Sequence, residues 1–213
     1  MSIKNYIAKN KMINDIVDFL PKYPNINNFQ NEMLNTYTDF YRSIFLKKEF
    51  NDLSLEKIEA LPEKKGDLFK HQKLIARFLS SHTLYDQMLL VHDMGTGKTC
   101  SAVAVVEQIR KEANNFKGAL YLAKGTALIN NFIDELIFKC TDGKYIPDNF
   151  SSLTELEKVH REKKMINDFY NWGTFEIFTK EITRSSDEEI IKKYSNHIII
   201  IDEIHNIRIQ KKD

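Results

Sequence analysis

Two short stretches of this chain carry residue types that fit one chemistry, the handling of a phosphate ester. In HDMGTGKT, residues 92–99, Gly95 and Gly97 stand just ahead of Lys98 and Thr99. Backbone amides must turn inward to cradle phosphate oxygens, and a side chain at the glycine positions would obstruct them. A helix starting at the same place aims free amides and a partial positive charge at the anion. Lys98 would add a point charge for the β- and γ-phosphates, and the Thr99 hydroxyl would ligate Mg2+. The candidate nucleotide-binding run is thus Met94, Gly95, Thr96, Gly97, Lys98, Thr99 and Cys100. The full pattern asks for glycine six residues before the lysine, where this chain has His92. A plain glycine turn between a strand and a helix is the competing reading.

The second stretch is HIIIIDEIH, residues 197–205, an apolar run that ends in Asp202 and Glu203. A strand of a parallel sheet delivers its last side chains to the carboxyl edge, where a phosphate loop is also expected to open. Asp202 would then serve the Mg2+ shell, and Glu203 would orient and polarise an attacking water. A solvated strand edge is the bland alternative for an acidic pair alone. Its occurrence downstream of the glycine-lysine loop, with His205 two residues on, favours a nucleotide site.

The elements needed to position these residues are legible in the patterning. QMLLVHD (87–93) is expected to be a buried strand and KTCSAVAVVEQIRKEA (98–113) a helix with a small-residue inner face. GALYLAK (118–124) reads as a second strand and TALINNFIDELIFKC (126–140) as a helix. A charged helix is expected over LTELEKVHREKKMINDFY (153–170), and HIIIIDE reads as a strand apolar on both faces. Such strands belong to parallel sheets covered by helices on both sides. The fold class is therefore α/β, a P-loop parallel sheet with helices on both faces. Ahead of it, MINDIVDFL (12–20) and FQNEMLNTYTDFYRSIFL (29–46) flank a loop at PKYPNINN with apolar residues at helical spacing. LPEKKGD (61–67) is the clearest linker, so residues 1–65 are expected to be a helical N-terminal extension and 66–213 the nucleotide-binding lobe.

Composition narrows the partners. A hydrophobic share of 42% with 29% charged residues is that of a globular domain, and a net charge of +1 gives no global pull toward nucleic acid or an acidic membrane. Any nucleic-acid contact must come from a local patch. Cys100 and Cys140 do not make a disulfide framework, and neither has a metal-ligand partner at suitable spacing, which points to a reducing compartment. No apolar run approaches the roughly 20 residues that span a bilayer, so no membrane partner is expected. His82, His160 and His197 lack ligand spacing and read as surface or local hydrogen-bonding residues, and Trp172 reads as a core edge. The charge runs at 161–164 and 210–213 read as solvated.

MGTGKT followed by DEIH after an isoleucine strand resembles the superfamily 2 helicases and translocases. LFKHQKLIARFL is similar to the adenine-reading segment of that family, which implies a base contact for Gln72 with His71 as its neighbour. From spacing alone a solvated helix residue fits Gln72 as well. LYLAKGTALINNFIDEL occupies the place of the family's second strand and its nucleic-acid loop. WGTFEIFTKEI followed by YSNHIIIIDEIHNIR is similar to the arrangement in Swi/Snf-type translocases. The overall texture is most similar to helicase-like transcription ATPases of large cytoplasmic DNA viruses, such as the poxvirus early transcription factor small subunit and nucleoside triphosphate phosphohydrolase I.

The resemblance covers about residues 66–208 and implies a RecA-like lobe, ATP with Mg2+, and a DNA or RNA backbone as the track. It implies backbone contacts at Lys124, Thr126 and Thr174, and a coupling role for His205 beside the γ-phosphate. An ordinary surface lysine and a polar strand-end cap are the alternatives for Lys124 and His205. A host-cytoplasmic or virion location follows from the viral likeness, as does a transcription-machinery partner docked on the N-terminal helices. The family needs a second lobe with an arginine finger, worth about 10³–10⁵ in rate. Its "Ser-Ala-Thr" motif is absent from these 213 residues, so the lobe is expected to be incomplete at the C-terminus and to turn over little ATP. A nucleotide-switched binding module and a restriction-enzyme translocase subunit remain as other readings.

Overall fold

The computed structural model describes residues 23–24, 35–53, 67–92, 95–113, 115–146, 149–154, 157–158 and 164–207. The expected helix at 12–20, Met94, His160, the 161–163 and 210–213 charge runs and the linker before Asp67 lie outside the described residues. So do most of the PKYPNINN loop and much of the charged helix over 153–170. The chain divides into two compact units, Met1–Leu61 with Leu68–Glu112, and Pro62–Asp67 with Ala113–Asp213.

The first unit is helical where described: α1 Asn35–Phe45, α2 Lys48–Asn51, α3 Lys70–Phe78 and α4 Lys98–Glu112. α4 turns Ser101, Val103, Ala104, Val105, Val106 and Ile109 inward, and this mix of small and β-branched residues lets α3 pack closely on it. Both ends of the pair are tied. At one end Gln72 donates to the Gly97 carbonyl; at the other the Ser81 amide and hydroxyl donate to the Glu112 carboxylate at 3.1 and 2.8 Å. The two helices therefore run parallel, with their N-termini at the same end. Burial would raise the Glu112 pKa, but hydrogen bonds from Gln108 and Ser81, with His82 nearby, hold it below the usual carboxylate range. A hydrophobic core of Phe40, Ile44, Phe50 and Tyr85 closes the unit.

One expectation fails in this unit. Residues 87–92 of the expected strand QMLLVHD form none, Asp93 lying outside the described residues, and Leu89 and Val91 are 72% and 83% exposed. A strand exists only as one side of a ladder, and among the described residues the paired strands are those of the second unit alone. An apolar run without a partner stays extended and wet.

The second unit holds a parallel sheet of three strands among the described residues: β1 Gly118–Ala123, β2 Tyr170–Thr174 and β3 His197–Ile201, in the order β2-β1-β3. The α/β class is thus the observed one. β1 is central and buried at every position. Its first residue must be glycine, since a Cβ on Gly118 would lie 2.7 Å from the Phe169 carbonyl oxygen. α5, Thr126–Phe138, packs on β1 and β2 and buries Ile129, Phe132, Leu136 and Ile137. The Tyr121 ring stacks on Phe132 at 4.0 Å, and Trp172 meets both edge-on, at the core edge expected of it. α6, Phe175–Arg184, also packs on β1 and β2, and α7, Asp187–Tyr194, is tied to it by Tyr194 donating to Glu181 at 2.8 Å.

β3 departs from the burial expected on both faces. Ile199 and Ile201, on one face, are 48% and 41% exposed. Among the described residues β3 pairs with β1 alone, at one edge of the sheet.

Candidate functional site

In the first unit the site is a backbone loop feeding α4. Gly95 and Gly97 both sit at positive φ, 81° and 79°, a region closed to most side chains. Lys98 opens α4, and Thr99 and Cys100 complete its first turn. The Gly97 carbonyl accepts the Ser101 amide at 3.0 Å, the Ser101 hydroxyl at 3.2 Å and the Gln72 amide at 3.2 Å. Gln72 also accepts the Phe69 N–H at 2.9 Å, so its side chain joins the start of α3 to the loop. It is 2% exposed, which removes the solvated helix residue as a description of its place. His71 reaches the Thr96 carbonyl through Nε2 at 3.2 Å and stacks on Phe69 at 5.5 Å. His92, in the place of the expected first glycine, meets His71 edge-on at 5.7 Å. A loop with two left-handed glycines at a helix N-terminus beside a lysine fits a polyphosphate.

In the second unit the candidate residues share the carboxyl edge of the sheet. The register pairs Ala123 with Thr174 and Leu122 with Ile201, so Thr174 and Asp202 stand at the level of Ala123, with Lys124 one residue beyond. The Asp202 amide closes the ladder on the Leu122 carbonyl at 2.9 Å. Tyr121, 2% exposed, donates its hydroxyl to Asp202 Oδ2 at 2.7 Å. Burial first, then that hydrogen bond and the charges of Asp202, Glu203 and Glu135, push the phenol far above its ordinary pKa, so it remains a donor. Asp202 Oδ1 takes no part in that bond. Among the described residues no three His, Cys, Asp or Glu side chains gather as a metal cage.

Glu203 turns the chain out of the strand in the left-handed conformation, φ 51° and ψ 49°. Its carboxylate lies 3.2 Å from His205 Nδ1, and its carbonyl accepts the Asn206 amide at 2.9 Å in the short turn Ile204–Asn206. Lys124 and Thr126 are exposed on either side of Gly125, which precedes α5. Thr174 caps α6, its hydroxyl oxygen accepting the Ile177 amide at 3.3 Å, with its own O–H left to donate. Tyr121 and Asn206 are the residues that motif reading missed. Nothing local marks Tyr121; it is an ordinary inward residue of a buried strand, and only the β1–β3 register brings it to Asp202.

The chain matches the family described as "Type III restriction enzyme, res subunit" over residues 25–212. It is 37% identical over 206 residues to "Putative helicase 087L" of Invertebrate iridescent virus 3, covering 92% of this chain and 20% of that protein. Against "Putative helicase 009L" of Frog virus 3 it is 40% identical over 141 residues, 66% of this chain and 15% of the relative. "Putative ATP-dependent RNA helicase" of Heliothis virescens ascovirus 3e is 26% identical over 184 residues, 85% of this chain and 18% of the relative. The chain thus spans at most about a fifth of the length of these three curated relatives. No solved structure gives a significant match.

Proposed function

Because the chain belongs to the helicase-like family of the type III restriction enzyme res subunit, we propose that it is the ATP-binding part of a superfamily 2 nucleic-acid-dependent ATPase. The observation that carries this reading is the loop at Gly95–Lys98, two positive-φ glycines at the N-terminus of α4, fixed to α3 through Gln72. Loop amides and Lys98 hold the β- and γ-phosphates, and Gln72 presents its amide to the adenine edge. Thr99 and Asp202 are the residues assigned to Mg2+, which when bound neutralises charge on the phosphates. Glu203, steadied by His205, takes the proton of the water that attacks the γ-phosphate. Lys124, Thr126 and the Thr174 hydroxyl grip a nucleic-acid backbone, a contact that positions a strand without reading its sequence. The iridovirus and ascovirus names support a viral helicase role, with DNA or RNA as the track.

The test is binding of a fluorescent ATP analogue to the chain with and without Mg2+. Lys98→Ala removes a charge-assisted contact and should weaken binding by roughly 10- to 100-fold. Equal affinity in that variant would sink the assignment of the loop.

A further inference from the structure

α3 carries Gln72 in its first turn, yet at 9 residues it is too short to hold its own shape. One side, with Gln72, Ile75 and Ala76, is buried toward α4. The other is held by a segment far away in sequence. Leu74, Phe78 and Leu79 lie against Phe40, Ile44, Phe50 and Tyr85, joined by Tyr23. Phe78 stacks on Tyr85 at 4.2 Å with the two rings nearly parallel. Phe50, 0% exposed, meets the edge of Phe78 at 6.5 Å and of Tyr23 at 6.2 Å. Arg77, in the last turn of α3, donates to the backbone carbonyl of Glu49. The Glu49 carboxylate in turn accepts the Tyr23 hydroxyl at 2.5 Å, and the Tyr85 hydroxyl donates to the Pro24 carbonyl at 2.8 Å.

We propose that this N-terminal clasp is the positioning element for base selection: Phe50 and the Arg77–Glu49 tie set where α3 stands, and thereby where Gln72 offers its amide. The proposal rests on the reading of Gln72 as the adenine contact. With Phe69 N–H and Gly97 C=O already engaged, Gln72 retains one N–H and one lone pair. That pair matches the acceptor N7 and donor N6 of adenine, and it mismatches guanine, whose O6 is an acceptor. Hydrogen bonds weaken steeply as geometry drifts, so a small displacement of α3 removes the discrimination. The phosphate grip stands on α4, whose own buried face of Val103, Val106 and Ile109 is not part of the clasp. Ser101 still holds the Gly97 carbonyl when Gln72 retreats. Residues with no contact to nucleotide thus govern which base is accepted, leaving phosphate affinity in place.

The experiment is displacement of a fluorescent ATP analogue from the chain by ATP and by GTP, with folding followed by circular dichroism. The parent should prefer ATP. Gln72→Ala should erase most of that preference, and Phe50→Ala and Arg77→Met should reduce it by roughly three- to tenfold, the range of one lost hydrogen bond. Affinity for GTP should stay near the parent's in both clasp variants, whereas Lys98→Ala weakens the two nucleotides alike. Arg77→Met cuts the tie without opening a cavity, so it carries the test alone if Phe50→Ala does not fold. An unchanged preference in the clasp variants, with Gln72→Ala defective, overturns the inference and leaves the reading of Gln72 standing. Equal loss of both nucleotides also overturns it, because that is ordinary destabilisation. A preference retained in Gln72→Ala removes the reading of Gln72, and the inference with it.

Discussion

At Gly97 the backbone is held by side chains from another element, whereas at Asp202 it is held by the ladder to which it belongs. Gln72 and His71, each 25 residues away, fasten the phosphate loop through the carbonyls of Gly97 and Thr96. The Asp202 amide instead closes a run of parallel pairing with β1, and Tyr121 beneath it pins one carboxylate oxygen. When the helix that carries those side chains shifts, their contact with the base is lost first, while Ser101 on α4 keeps the Gly97 carbonyl in place. A strand end is fixed by many main-chain bonds, none of which is individually decisive. The two regions should therefore fail in different ways, the first through nucleotide affinity and the second through chemistry.

The largest effect is expected at the strand end. Glu203→Gln keeps size and hydrogen bonding but loses the charge that draws a proton from water. Phosphate release, measured with nucleic acid present in a chain that carries a second lobe, should fall by about 10²–10⁴-fold while ATP affinity is kept. A matching loss of affinity would erase the contrast between the regions. Gly97→Ala comes next. Its Cβ would lie 2.5 Å from Gln72 Nε2, at a φ of 79° where a side chain adds strain of about 1–2 kcal/mol. Thermal stability and ATP affinity should drop together, because the loop and its fastening are disturbed at once; a stable variant with normal affinity would show that Gln72 does not hold the loop. Tyr121→Phe should be the mildest, costing about 0.5–1.5 kcal/mol for one hydrogen bond. Asp202, less firmly oriented, should then require more Mg2+ for half-maximal ATP binding, with the melting curve scarcely moved. A loss as large as that of Gly97→Ala would mean that the ladder does not protect the strand end.

Much of the fold was legible because it is written locally. The helix over 98–112 and the strands at 118–123 and 197–201 follow from short-range periodicity, and the helix also from the glycines at 95 and 97 just before it. The run 87–91 misled for the same reason: its apolar residues look like those of a buried strand, but pairing is a long-range property that composition cannot carry. Gln72 shows the limit from the other side. Helical spacing leaves its burial open, and only the approach of Gly97 turns it inward. The left-handed turn at Glu203 has no marker at all, since glycine, asparagine or aspartate would announce such a turn and glutamate does not.

With Glu203 as the proposed base, that unannounced turn sets heat tolerance against turnover at one residue. An L-residue with φ near 51° stores about 1–2 kcal/mol that glycine would release. Selection for melting temperature alone, applied to a library of variants, should drift position 203 toward glycine and silence the ATPase as it does so. Selection for turnover should hold glutamate there against the strain. On the proposed role of Glu203, robustness is given up for rate at this one position.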